Sequence, residues 1–219
     1  MKVIDLSFPI HEGMTTFPSD WHPRVEVSQL GRIKIEGRES RKIIIGTHTG
    51  THVDAPSHFI ERGETIDQIN LQTFIGKALL IDLSNSLWLE EITLSKLKKE
   101  ISERKTDRLI IRFDWSKHWG SLNYYLNHPF LSKESAKYLV KEGIKLIGID
   151  TPQADSPQNG QGSKEDSPIH KILLGNGIIK LEYMNNLHLL NPGYFNLIAM
   201  PLNILGADGS PVRCIGYQD

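Results

Sequence analysis

The sequence predicts an α/β fold, and three observations carry that prediction. Residues 77–83, 108–113 and 145–150 are nearly continuous apolar runs, the pattern of strands covered on both faces. Two amphipathic stretches with helix-capping residues lie between them, at 93–105 and 132–140. Elsewhere, short segments alternate apolar and polar residues, as half-exposed antiparallel strands do. Strand, helix, strand, helix, strand in succession is the sign of an α/β unit.

Taken in order, Val3–Ser7 reads as a first strand, ended by Pro9. His11–Asp20 is rich in turn residues and reads as a loop. Arg24–Ser28 and Ile33–Glu36 both alternate, which predicts two half-exposed strands, and Arg41–Ile45 then leads into the segment 46–58. Ile66–Ile69 suggests a short helix after the turn Gly63-Glu64-Thr65. Thr93 caps the first long helix, with Leu94, Leu97 and Ile101 on one stripe. Ser132 caps the second, which Gly143 stops.

Asp114–Pro129 holds Trp115, Trp119, Tyr124 and Tyr125 and is long for a structureless loop. Packing against the domain's own sheet is its expected role, ahead of walling a pocket or a subunit contact. Thr151–Asp166 is a second long polar loop. Ser167-Pro168 opens a short helix carrying His170, and Ile178–Tyr183 is a strand. Phe195–Met200 and Val212–Ile215 are the last strands, with Asp208-Gly209 as a turn signal between them. His11 and His22 are expected at the surface, and His118 and His128 are assigned no role. Arg213 is expected to anchor a salt bridge.

A chain of 219 residues buries roughly 70% of its unfolded surface and fits one domain spanning 1–219. A net charge of −1 and a pI near 6.8 provide no basic field for phosphate backbones, so nucleic acid is excluded as a partner. No apolar run approaches the ~20 residues that span a bilayer, and Asp5 interrupts any leader-like core. Membranes are therefore excluded, and a cytoplasmic location is expected. The single cysteine, Cys214, forbids an internal disulfide, suits a reducing compartment and reads as a small buried apolar residue.

The chemistry concentrates in Gly46-Thr47-His48-Thr49-Gly50-Thr51-His52-Val53-Asp54-Ala55-Pro56-Ser57-His58, where three of the nine histidines and an aspartate fall within eleven residues. Glycines, β-branched residues and Pro56 oppose a helix, so the segment is expected to be extended. His48, Gly50, His52, Asp54 and His58 then share a parity and converge on one side, with Gly50 leaving space there. Two imidazoles and a carboxylate are three ligands with an open position, the arrangement of a catalytic ion. Such an ion lowers the pKa of bound water from about 15.7 to roughly 7, which makes hydrolysis the natural chemistry.

This segment resembles the signature H-x-G-T-H-x-D-x-P-x-H of the cyclase family, which includes bacterial kynurenine formamidases and isatin hydrolases. The resemblance extends from Asp5 to Arg213, where the Asp-Gly-x-Pro-x-Arg ending is also similar. It implies a compact β/β/α arrangement of mixed sheets with a few peripheral helices. It further implies His48, His52 and Asp54 as metal ligands, with His170 and Glu182, twelve residues apart, as ligands of a second ion. His58, beyond the restraining Pro56, is assigned proton transfer, because a fourth ligand would close the shell. Phe17 stands where the formamidases carry a pocket-lining tryptophan, which implies an aromatic substrate wall.

The implied activity is hydrolysis of an amide, first the formamide of N-formylkynurenine, with a cyclic or aryl amide such as isatin as the alternative. One or two divalent ions per chain are expected, zinc first and manganese next, since both accept this ligand set. The implied partners are a small-molecule amide and further copies of the chain, as a homodimer or tetramer. A non-haem iron oxygenase also uses two histidines and a carboxylate. It ranks lower because its ligand spacing and all-β barrel differ from this sequence. A non-catalytic metal-binding module would leave His58 without a task.

Overall fold

The computed structural model describes residues 2–20 and 22–218. In chain order its elements are β1 (Lys2–Asp5), β2 (Glu26–Gly31), α1 (Ile33–Glu36), β3 (Ser40–Ile44), β4 (His52–Asp54), β5 (Ile75–Asp82), β6 (Glu91–Ile92) and α2 (Leu94–Ile101). There follow β7 (Arg108–Arg112), α3 (Leu122–Leu126), β8 (Phe130–Leu131), α4 (Lys133–Lys141), β9 (Leu146–Ile149), α5 (Pro168–Leu174), β10 (Ile179–Glu182), β11 (Gly193–Pro201) and β12 (Gly209–Gln218).

The main sheet runs β1-β12-β11-β5-β7-β9-β10-β4, and β4 also pairs with β12, so seven strands close on themselves while β1 extends the sheet beyond β12. The β5-β7-β9-β10 half is parallel, as its helical crossovers require, and the other pairs are antiparallel. Mixed α/β architecture with few helices is thus the outcome expected from the sequence. The closure was not expected, because it depends on a three-residue strand meeting the start of β12 about 155 residues away.

Alternation along the strands sorts the core into two layers. Ala78 and Leu80 of β5, Ile110 of β7, Ile179 and Leu181 of β10 and Val53 beside them fill the inside of the closed sheet. Leu79, Ile81, Leu109, Ile111, Ile147 and Ile149 face outward, where Leu97 and Ile101 of α2 and Ala136 and Leu139 of α4 cover them. The predicted caps form: Thr93 accepts from Lys96 N–H and Ser132 from Ser135 N–H, each worth about 1 kcal/mol.

Four local readings differ from the structure. Ile33–Glu36 is a helical turn, not a strand, since Arg32 N–H bonds Glu36 and Gly37 ends it at φ +74°. It sits at the tip of the β2–β3 hairpin, where Leu30, Ile33, Ile35 and Ile43 are exposed. The helix expected at 66–69 is irregular turn, and the next 3-10 turn lies at Leu71–Thr73. The 114–129 segment, read as an irregular loop, contains a 3-10 turn and α3, while Trp115, Tyr124 and Tyr125 pack into the outward-facing core as expected. His22 is buried, and its Nε2 lies 3.0 Å from the carbonyl of His48. Arg213 forms the expected salt bridge, with Asp5, and Cys214 is fully buried.

Candidate metal centre

The site lies on the outward face of β4 and β10, next to the closure seam. Antiparallel pairing sets Lys180 opposite Asp54 and Glu182 opposite His52. Val53 and Leu181 turn into the closed core, so these four polar side chains point the other way. Helix α5 covers that face and brings His170, and the 3-10 turn Pro56–His58 brings His58.

The approach to β4 is not uniformly extended. Residues 46–51 form a turn, Gly46 N–H donating to Thr49 Oγ1, and only His52–Asp54 is strand. Gly50 stands at φ +61°, where a side chain is strained, although an added Cβ would find room 3.4 Å from Met14 Cε. Glycine is needed there for the backbone, and the turn, not shared parity, brings His48 back over His52 with ring centroids 5.0 Å apart.

His48 Nδ1 lies 2.8 Å from Asp54 Oδ1 and His52 Nε2 lies 3.2 Å from the same oxygen. His52 Nδ1–H donates to Gly50 O at 2.8 Å, which fixes the tautomer and leaves Nε2 as the free lone pair. That nitrogen is also 3.9 Å from Glu182 Oε2. On the helix side, His170 Nδ1–H donates to Asp155 Oδ2 at 2.5 Å, turning Nε2 toward Asp54 Oδ2 and Glu182 Oε1 at 3.6 and 3.8 Å. His58 tilts over His48 with centroids 3.9 Å apart, its Nδ1 3.0 Å from Asp208 Oδ2.

Charge and burial set the proton affinities. Burial disfavours the charged form of His48, but Asp54 and Asp208 outweigh it and push its pKa up to about 10. Burial likewise works against ionised Asp54, yet Lys180 and His48 hold it well below the usual carboxylate range. His58 is lowered by burial, with Asp208 opposing in part. Hydrogen bonds from His48 and His58 keep Asp208 far below its ordinary value.

The six residues predicted as ligands or proton carrier therefore converge. Their donor atoms group as His48, Asp54 and His58, and as His52, Asp54 and Glu182, with each group's atoms within 4.8 Å of one another. The imidazole nitrogens of His48 and His52, both turned to Asp54 Oδ1 and one of them with an oriented lone pair, fit a divalent cation at that end. Phe17 stands farther out: its ring meets Tyr125 edge-on at 6.0 Å, and Tyr183 lies between Tyr125 and His52.

Sequence reading missed three participants. Asp155 holds His170 and accepts the N–H groups of Ile169 and His170. Asp208 accepts from His48, His58 and Thr47, and the adjacent Gly209 is required because a Cβ there would lie 2.8 Å from His48 Cε1. Its dipeptide signalled only a turn. Lys180, whose parity with Glu182 was a usable signal, lies fully buried among the carboxylates.

Residues 4–156 match the sequence model of a family described as "Putative cyclase". The chain belongs to this cyclase family. Kynurenine formamidases of Bacillus cytotoxicus and of Bacillus thuringiensis strain Al Hakam are 33% and 34% identical to it, over 97% of this chain and 95% of theirs. Isatin hydrolase A from Labrenzia aggregata superposes with a TM-score of 0.87 at 26% identity, covering 98% of this chain and 93% of its own. Another cyclase-like fold, titled a potential metal-dependent hydrolase with cyclase activity, gives 0.79 at 26% identity over 100% and 99%.

Proposed function

We propose that the protein is a metal-dependent amide hydrolase that cleaves the formamide of N-formylkynurenine to kynurenine and formate. The observation that carries this reading is the convergence of His48 and His52 on one oxygen of Asp54, with His58 grouped on the His48 side and Glu182 on the His52 side, in a chain alike over nearly its whole length to kynurenine formamidases. His48, His52 and Asp54 would hold the ion, zinc first and manganese next, with Glu182 Oε2 3.9 Å from His52 Nε2 beside them. A bound divalent ion supplies Lewis acidity, polarising a carbonyl and lowering the pKa of water.

The chain's own groups do the rest. Asp208 fixes the Nδ1–H of His58, which leaves Nε2 to exchange the proton. Burial keeps His58 below the ordinary imidazole pKa, so it stands neutral near pH 7 and accepts a proton as water attacks. The same nitrogen returns that proton to the departing amine. Phe17, with Tyr125 behind it, forms one aromatic wall for an aryl substrate.

The likeness to isatin hydrolase A favours a second reading, opening of a cyclic aryl amide by the same groups. Anaerobic turnover of N-formylkynurenine and isatin by metal-reconstituted protein decides between them. N-formylkynurenine is expected to have the higher kcat/KM. Turnover of isatin alone would transfer the proposal to the cyclic amide, and a requirement for oxygen would overturn hydrolysis altogether. Assembly as a homodimer or tetramer, tested by sedimentation, and residence in a reducing cytoplasm belong to the same reading. Among the described residues, no helix is long and apolar enough to cross a membrane.

A further inference from the structure

Lys180 is the one cationic side chain among the described residues that is fully buried, and it points into the metal centre. Its place is set by backbone register, because β10 pairs it with Asp54 and alternation puts it on the face shared by His52, Asp54 and Glu182. Its Nζ lies 3.3 Å from Asp54 Oδ2 and touches both His170 Nε2 and Glu182 Oε1. The resemblance assigns His170 and Glu182 to a second ion, and Asp54 Oδ2 is the carboxylate oxygen that faces them. That ligand set does not fit a second ion here, because the lysine nitrogen stands among all three donors.

Resting on the metal-centre reading above, we infer that Lys180 is a built-in cation replacing the second metal, so that the protein binds one divalent ion per chain. Lys180 Nζ sets an ammonium against His170 Nε2, the nitrogen that faces Asp54 and Glu182, and so places a positive charge among the donors. That charge faces Asp54 and Glu182, two carboxylates that burial would otherwise leave costly to ionise. An ammonium has three donors and no lone pair, so it neutralises carboxylates without ligating a metal. Asp155 keeps His170 in the matching orientation from behind. Lys180 is without solvent exposure and lies against all three donors, so an ion enters this place only by displacing it.

The count of ions tests this without any substrate. Wild-type protein saturated with zinc or manganese and freed of excess ion is expected to give one ion per chain by elemental analysis. Lys180→Ala, which removes the charge and leaves the three donors, is expected to take up a second, seen as two anomalous-scattering peaks in crystals. Lys180→Arg keeps the charge and is expected to stay at one. Two ions in wild type would overturn the inference while leaving amide hydrolysis intact; no ion at all would overturn both. Lys180→Ala that folds, by its circular dichroism, yet holds a single ion would also overturn it. Should Lys180→Ala not fold, Lys180→Met takes its place under the same two outcomes.

Discussion

Asp54 is the hinge of the site at the scale of single residues, its two oxygens facing His48 and His52 on one side and Lys180 and His170 on the other. The proposed function divides its neighbours into groups that hold the ion and a group that moves a proton, and substitution separates them. His52→Ala removes the nitrogen whose lone pair Gly50 orients, and is expected to lose bound metal and activity together. His58→Ala is expected to retain metal and fold while kcat falls by about 10²–10⁴, the usual contribution of a positioned acid–base group. Elemental analysis beside steady-state kinetics reads both. Metal loss in His58→Ala would instead make it a ligand, in keeping with its place in the His48–Asp54 group. The clustered histidines were legible in the sequence because their spacing is local. Asp155 and Asp208 were not, because a loop carboxylate 15 residues from one partner and 160 from the other carries no local mark of its task.

At the scale of elements, caps and periodicity made β5, α2, β7, α4 and β9 legible, since each pattern is longer than one turn. Ile33–Glu36 was not, because four residues reading apolar, polar, apolar, polar satisfy a strand while a terminal glycine closes them into a helical turn. The turn before β4 makes a sharper demand. Gly50→Ala forces a Cβ into the left-handed region at a cost of about 1–2 kcal/mol. Because an added Cβ would meet Met14 and Ile10 only at ordinary contact distances, the loss should come from backbone strain and should also weaken metal binding through His48. Urea titration with a metal-binding isotherm checks this, and unchanged values in both would refute it. The end of β9 holds a pH-dependent element. Asp150 is buried, and burial pushes its pKa up to about 7 although Phe113 and Trp115 N–H groups donate to it. The fold therefore keeps a proton that the unfolded chain releases above about pH 4, and this stability is lost as pH rises through about 7. The displacement corresponds to roughly 4 kcal/mol at most. Asp150→Asn, which cannot ionise, should match wild type below about pH 4 and exceed it increasingly between there and pH 8. Lower stability of the variant at pH 8 would show that the two N–H bonds outweigh burial.

For the whole molecule, the decisive feature is that the sheet closes through its shortest member. β4 has three residues, yet it bridges β10 and β12, and it carries His52 and Asp54 on the face opposite the core. A three-residue strand forms few ladder bonds, so the seam leans on the packing of Val53 inside and on whatever joins the polar side chains outside. An ion held as proposed by His48, His52 and Asp54 would tie the turn before β4 to the strand itself, and Glu182, 3.9 Å from His52 Nε2, would link that group to β10. Binding to the folded state alone adds RT ln(1 + [L]/Kd), about 2.7 kcal/mol at a hundredfold excess over Kd. Chelation should thus lower the melting temperature, and the loss should be local before it is global. Amide hydrogen exchange is expected to speed up first at residues 52–54, 180–182 and 209–211, where the seam is made. The parallel strands β5 and β7, covered by α2 and α4, should keep their protection under the same conditions. Equal acceleration across all strands would mean that the metal stabilises the fold without fastening the seam. No change at the seam would mean that Val53 and its neighbours hold it closed unaided.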